Sequence, residues 1–285
     1  MNLGTTGTKV QDHVRPRYHR LSECGRMNAL EGIEKMEMTS FLGLALGIGG
    51  ILLGNIIEGG HVSSLLQFAA AVIVLTGTLG AVVASSRKRD LQLAVELMKS
   101  AFRKSSSARN ESSMAELIDC ARLARKESVL AIEPRIAKFQ DPFMQGVMKA
   151  VIDGLDTKVV REIFEQEITL EEENLNAGAK VWADAGGFSP TVGIIGAVLG
   201  LIHVMSNLAD TSKLGAGIAV AFVATVYGVG FANLVFIPIS NKIKKKISET
   251  IREREMVLEG GLAILAGLSP IMVEIKLKPY IEKSN

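Results

Sequence analysis

Charge of either sign is missing from four long stretches of the 285-residue chain: Met38–Ile57, Gly59–Ser86, Ala185–Ala209 and Leu214–Asn241 contain no Asp, Glu, Lys or Arg. The 32 basic and 30 acidic residues are crowded into the remainder. Such segregation argues against an ordinary soluble domain, whose helices each carry a charged face. The net charge of +2 leaves no concentrated basic surface for nucleic acid, which needs several phosphates neutralised at once. Cysteine is scarce, only Cys24 and Cys120, and the pair matches no metal spacing and reads as free thiols in reducing surroundings. The four histidines (His13, His19, His61, His203) do not group, so no metal site is expected. Phosphate loop, nucleophile elbow and ligand cluster are all lacking, which points away from an enzyme and from any bound cofactor.

What remains is apolar helix. Crossing about 30 Å of hydrocarbon takes about 20 apolar residues, and a charge at mid-span costs ~2.5–3.5 kcal/mol. The four uncharged windows therefore predict an all-α polytopic membrane protein with four spans, Phe41–Ile57, Ser64–Ala84, Phe188–Leu208 and Ile218–Ile239. Lys and Arg mark the cytoplasmic loops. The segment Ser85–Gly187 holds 16, the first 37 residues six, and the tail after span four nine, whereas Glu58–Ser63 has none and Ala209–Gly217 only Lys213. Both termini and the long middle segment are thus expected in the cytoplasm of a bacterial inner membrane. The expected organisation is a mobile tail (1–37), spans one and two (38–84), a helical cytoplasmic domain (85–187), spans three and four (188–240) and a helical cytoplasmic tail (241–285). The first 37 residues have no apolar core of the kind a signal peptide needs, and Met36 or Met38 would serve as alternative starts.

Within the cytoplasmic segment, Leu91, Val95, Met98 and Phe102 are spaced to stripe one helix face, and Leu117, Ala121 and Ala124 continue in the same way. Pro134 and Asp141-Pro142 interrupt, and a Glu-rich helix is expected over Thr157–Asn176. After span four, Ile243, Ile247 and Ile251 stand four apart among basic residues, which predicts that the last membrane helix runs on into the cytoplasm. Gly267 and Pro270 punctuate the end.

No carboxylate lies in any span, although proton relays through membranes depend on one. An ion pathway here would need an acid from another polypeptide. Two readings of His203 stay open, a relay and a polar group reaching the headgroups. Gly43, Gly47, Gly50 and Gly54 form a smooth stripe on span one, the pattern of a helix-packing face. Pro190 and Pro238 sit at the cytoplasmic ends of spans three and four, where each leaves a carbonyl unpaired. Thr191 and Thr225 are hydroxyls that could face a pore or bond their own backbone one turn back.

Spans three and four also carry a resemblance. Phe188-Ser-Pro-Thr-Val-Gly-Ile-Ile-Gly-Ala-Val-Leu-Gly-Leu-Ile-His-Val-Met-Ser-Asn-Leu208 resembles the third membrane helix of the flagellar stator MotA family, part of the MotA/TolQ/ExbB proton channel superfamily. Ala219–Pro238, followed by Ile-Ser-Asn-Lys-Ile, resembles its fourth. Gly77-Thr78 ahead of Arg87-Lys88-Arg89, and the closing Gly267-Leu-Ser-Pro270, are similar to further family motifs. The likeness runs from about Met38 to Tyr280, and the tail before it has no family counterpart, which favours the later start.

The resemblance implies a five-subunit homo-oligomeric ring around two copies of a MotB-like, peptidoglycan-anchored partner that supplies the proton-accepting Asp. It implies that ion flow drives rotation against a FliG-like rotor protein. Family rotor contacts, an Arg and a Glu eight residues apart, fall on Arg125 and Glu133, with Lys126 as a further charge. The functional prolines fall on Pro190 and Pro238 and the pore threonine on Thr225. Sodium-driven relatives place a second Thr where this chain has Ala197. A hard cation needs several oxygen ligands, so the coupling ion implied is the proton. An ExbB/TolQ-type channel energising envelope work is the alternative, although those relatives usually have three spans.

Overall fold

A computed structural model describes residues 38–102, 107–206 and 211–282, and the expected tail 1–37 lies outside them. The described residues are helical throughout: α1 Met38–Ile57, α2 Phe68–Ser85, α3 Lys88–Ala101, α4 Ser107–Lys126, α5 Glu133–Ile136, α6 Pro142–Ile152, α7 Thr157–Ser206, α8 Thr211–Phe231, α9 Ile237–Leu265 and α10 Pro270–Glu282. Short 3-10 turns occupy Val62–Leu65 and Val129–Ile132, and a π-helical turn, Ala232–Phe236, joins α8 to α9.

Three helices, Val62–Ser85, Thr157–Ser206 and Gly217–Leu265, are long and apolar enough to cross a membrane, and the apolar Leu42–Ile57 is shorter. The chain is thus a multi-pass membrane protein in which two helices continue far beyond the bilayer. α7 differs from the sequence expectation of a separate cytoplasmic helix followed by a span. It runs unbroken for 50 residues, through Gly186-Gly187 and Pro190. Packing explains this, because Trp182 Nε1 donates to the Ala94 carbonyl (3.0 Å) and Ser240 Oγ to the Ala179 carbonyl (3.0 Å). These bonds hold the helix on both sides just before its weak residues. The α8–α9 pair is likewise continuous beyond its apolar span, with Ile243, Ile247 and Ile251 buried.

The π turn follows from Pro238. Proline lacks the N–H that would bond the carbonyl four residues back, and its ring crowds that position. Widening the preceding turn relieves both, and the Ile237 N–H bonds the Ala232 carbonyl five residues back.

Below the membrane a bundle forms on α9. Gly260 and Gly261 let α4 and α6 approach: a Cβ on Gly260 would lie 2.8 Å from Leu117 Cδ1, and one on Gly261 would collide with Val147 Cγ1. Asp141 caps α6 by accepting from the Phe143 N–H (3.0 Å), with Pro142 as its first residue. Gly267 adopts φ +70°, a left-handed conformation suited to glycine, and ends α9 before Pro270 starts α10. α3 departs in detail from the expected stripe. It buries Ala94 and Ala101 with Leu91, Leu97 and Met98 beside them, while Val95 stays 46% exposed.

Charges lock this bundle. Glu259 on α9 accepts from Arg161 of α7 (2.7 Å) and pairs with Lys276 of α10 (2.6 Å). Burial alone would raise the Glu259 carboxyl, but the hydrogen bonds from Arg161 and Lys276 outweigh it and hold the group below its ordinary range. Arg254 lies over the Phe143 ring (4.8 Å to the centroid) and donates to Glu171 (2.8 Å).

Overpacking a tight core contact costs about 1–3 kcal/mol. Gly261→Val, which forces a branched side chain onto Val147 and Val151, should lower the unfolding midpoint of detergent-solubilised protein by at least about 3 °C. An unchanged thermal scan would show that α9 and α6 are not in close contact.

Candidate ion pathway and rotor-facing surface

The closest helix contact in the membrane region is that of α7 with α8. It is built from small residues at spacings of three and four on α7, Gly193, Gly196 and Gly200, facing Gly228, Ala224 and Ala221 of α8. A Cβ on Gly193 would sit 2.9 Å from the Ala224 carbonyl, and one on Gly228 only 2.7 Å from the Ser189 carbonyl. Backbone touches backbone here, the arrangement by which membrane helices associate without a hydrophobic driving force between them. At the same level the buried Ser189 Oγ donates to the Gly228 carbonyl (2.9 Å). α2 closes the back of the pair: a Cβ on Gly77 would meet Val192, and one on Gly196 would lie 3.3 Å from Ile73 Cγ2. At the start of α2 the Tyr227 hydroxyl donates to the Leu65 carbonyl (2.5 Å) and accepts from the Gln67 N–H (3.4 Å), fixing the turn before that helix.

Pro190 removes the donor for the Gly186 carbonyl. Gly186 packs against Ile237, where a Cβ would lie 2.6 Å from Ile237 Cγ1, so the turn loosened by Pro190 adjoins the residue preceding Pro238. The two proline turns therefore meet at the end of the pair nearest the charged bundle, Pro190 half-buried and Pro238 exposed. Thr191 is exposed and donates to the Phe188 carbonyl (2.8 Å). Thr225 is half-buried and donates to the Ala221 carbonyl at 3.4 Å, so each hydroxyl bonds its own helix in the single chain. Ala197, seven residues from Pro190, lies on the same side of α7. Its neighbours Ile194, Val198 and Leu201 are about half exposed. Pro190, Thr191 and Ala197 thus lie towards a side of α7 that the described residues leave uncovered.

The glycine stripe of α1 packs less than its spacing suggests. Among the described residues, only Gly47 of this stripe has a close neighbour, a Cβ there lying 3.0 Å from Leu234 Cδ2 in the π turn, while Gly43, Gly50 and Gly54 have open space around them. The equivalent signal that does mark a close contact, Gly193, Gly196 and Gly200, stood in the sequence at the same kind of spacing. Ser189 carried no such signal, since its role depends on which carbonyl lies opposite.

The second surface lies on the charged helical bundle beyond the apolar spans. Arg125 and Lys126 end α4, and Glu133 begins α5 after the 3-10 turn. All three are exposed, and Leu130 between them is 63% exposed, an apolar residue that sequence reasoning passed over. Beneath this surface Cys120 is buried, and burial pushes its thiol up to about 11.

The sequence model of the MotA/TolQ/ExbB proton channel family matches residues 135–256. Motility protein A of Helicobacter pylori (strain ATCC 700392 / 26695) is 35% identical over 86% of this chain and 95% of its own length. Motility protein A of Bacillus subtilis (strain 168) is 32% identical over 86% and 91% respectively. Among solved structures, that of C. jejuni MotAB aligns with a TM-score of 0.81 at 29% identity, covering 86% of this chain and 96% of that one. The flagellar MotAB stator complex of Bacillus subtilis aligns with a TM-score of 0.76 at 32% identity, covering 84% and 93%. With relatives this similar over nearly their whole length, the chain belongs to the motility protein A group of the MotA/TolQ/ExbB proton channel family.

Proposed function

We propose that this chain is the ion-conducting subunit of a flagellar motor stator and that it couples inward proton flow to torque on a rotor. The observation that carries the reading is the α7–α8 pair. It is packed backbone to backbone and notched by two adjoining prolines, and its pathway residues lie towards an uncovered side with no carboxylate of their own. Such a pair makes one wall of a conduit and leaves the acid to a second polypeptide. The solved relatives are MotAB complexes, which supports a MotB-like partner in that role.

In this reading α1, whose 20 residues give about 30 Å of helix, is a fourth span. Both termini lie in the cytoplasm, as the distribution of Lys and Arg requires. Several copies, five by family resemblance, surround the partner, and their uncovered α7 faces turn towards it. Proton passage changes the charge on the partner's acid, and the proline turns at Pro190 and Pro238 are the compliant points through which that change reaches the cytoplasmic bundle. Because α7 and α9 are continuous helices, movement at their membrane ends is delivered rigidly to α4 and α5. There Arg125, Lys126 and Glu133 meet a FliG-like rotor protein.

Pro190→Ala restores a backbone donor and Thr225→Val removes the half-buried hydroxyl. Both should abolish or sharply reduce spreading in soft agar at normal protein levels, and unimpaired swimming in both would remove the pathway assignment. Ala197 supplies no oxygen for a partly dehydrated sodium ion, so swimming speed should be unchanged in sodium-free medium and collapse when a protonophore is added. Slowing on sodium withdrawal would contradict proton coupling. Reversal of Arg125 or Glu133 should reduce torque in a tethered-cell assay, with partial recovery when the opposing rotor charge is also reversed; full torque in both single variants would sink the rotor contact.

A further inference from the structure

Two fully buried hydroxyls lie on neighbouring helices in the membrane region, Thr78 on α2 and Ser189 on α7. Their register follows from the contacts on either side of them. α2 and α7 run antiparallel, with Ile73 against Gly196, Gly77 against Val192, and Val82 in one buried cluster with Ala185. Thr78 stands one turn before Val82 and Ser189 one turn after Ala185, so the two residues occupy facing positions. Apolar packing closes this level from both sides. Val74 clusters with Ala224, Val82 with Phe236, and Phe231 packs against both groups.

The two hydroxyls are engaged differently. Ser189 Oγ donates across to the Gly228 carbonyl of α8 (2.9 Å). The Thr78 hydroxyl has no hydrogen-bond partner among the described residues. A helical threonine commonly satisfies itself by donating to a carbonyl one turn back. Thr76 does so on the same helix, to the Val72 carbonyl (2.6 Å), and Thr191 and Thr225 do so on α7 and α8. Thr78 makes no such bond, in surroundings where an unpaired hydroxyl is costly and a paired one strong. It faces the turn of α7 that Pro190, the residue after Ser189, deprives of a hydrogen bond. A buried group left unpaired beside a loosened turn is placed for a bond that forms in a second arrangement.

We infer that Thr78 is a positioning residue of the ion-driven movement: when the proline turns shift, its hydroxyl donates to Ser189 Oγ, which keeps its own bond to the Gly228 carbonyl. A hydroxyl has one donor and two acceptor lone pairs, so Ser189 holds both bonds at once. The closed chain, from α2 through α7 to α8, belongs to the second arrangement. In the first only its α7–α8 half is made. A bond present in one arrangement alone shifts the balance between the two. The inference rests on the reading of the α7–α8 pair as the moving wall of a conduit, and it adds α2 to that wall.

The experiment compares Thr78→Val, Thr78→Ser and Pro190→Ala in motile cells at matched membrane levels of the protein. It reads rotation speed at low load and, for the purified complex with its MotB-like partner, the unfolding midpoint. Valine has the shape of threonine without the hydroxyl. Thr78→Val should cut speed at least twofold and leave the midpoint unchanged or higher, because it removes an unpaired polar group from the first arrangement. Thr78→Ser keeps the hydroxyl and should rotate at close to wild-type speed. Wild-type speed in Thr78→Val while Pro190→Ala is impaired would overturn the inference and leave the conduit reading standing. Wild-type speed in both would remove the conduit reading, and the inference with it. A lower midpoint in Thr78→Val, or an equal loss of speed in Thr78→Ser, would assign Thr78 to packing and also overturn the inference. The register has its own check: the pair Thr78→Cys/Ser189→Cys should cross-link in oxidised membranes and the pair Thr76→Cys/Ser189→Cys should not. Absence of the first product would show that the two hydroxyls do not meet.

Discussion

The structure depends on the contact of α7 and α8 through glycine and alanine. Where Gly193 meets Gly228, no side chain intervenes, and even a methyl group would lie under 3 Å from the opposing backbone. That proximity lets the Ser189 hydroxyl reach the Gly228 carbonyl across the interface. It also makes the pair a stiff unit in a region where lipid offers no hydrophobic incentive for helices to associate. A stiff pair with a compliant end is what transmission requires. The compliance is local, confined to the turns that Pro190 and Pro238 deprive of a hydrogen bond, and the π turn absorbs the second of these without breaking the helix.

Below those turns, rigidity returns. α7 and α9 cross the membrane boundary without interruption and are tied to one another by Ser240, and α7 to α3 by Trp182. Further down, the Arg161–Glu259–Lys276 network binds α7, α9 and α10 together. The charged bundle is therefore an extension of the membrane helices and not a domain hung from a linker. α4 and α5, the surface proposed to meet the rotor, pack on that extension. A displacement of about 1 Å at the proline level reaches them through packed helix, because close-packed interiors transmit strain and do not absorb it.

Much of this was legible in the sequence, for a physical reason in each case. Placing a charge in hydrocarbon is so costly that its avoidance writes itself into composition, and the three helices long and apolar enough to cross a membrane could be read from it directly. The run of Ile243, Ile247 and Ile251 showed the last helix continuing beyond the apolar span, because burial on one face imposes its period. Helix continuity through Gly186-Gly187 and Pro190 was not legible, since those residues are local breakers overruled by tertiary contacts at Trp182 and Ser240. The π turn was hidden for a similar reason, as it arises from how the chain accommodates Pro238 in space. In an uninterrupted helix each residue turns about 100°, so the extra residue of that turn re-aims everything downstream relative to Thr225. The glycine stripe of α1 shows that spacing defines a smooth face but not what lies against it. Arg125, Lys126 and Glu133 were visible only through family resemblance.

The central claim is that this chain supplies one wall of a proton conduit and no acid. Proton uptake by liposomes reconstituted with the purified chain, alone and together with a MotB-like partner, tests it most directly. The account predicts no uptake above protein-free vesicles for the chain alone and measurable uptake for the complex. Uptake by the chain alone, at the rate of the complex, would contradict it.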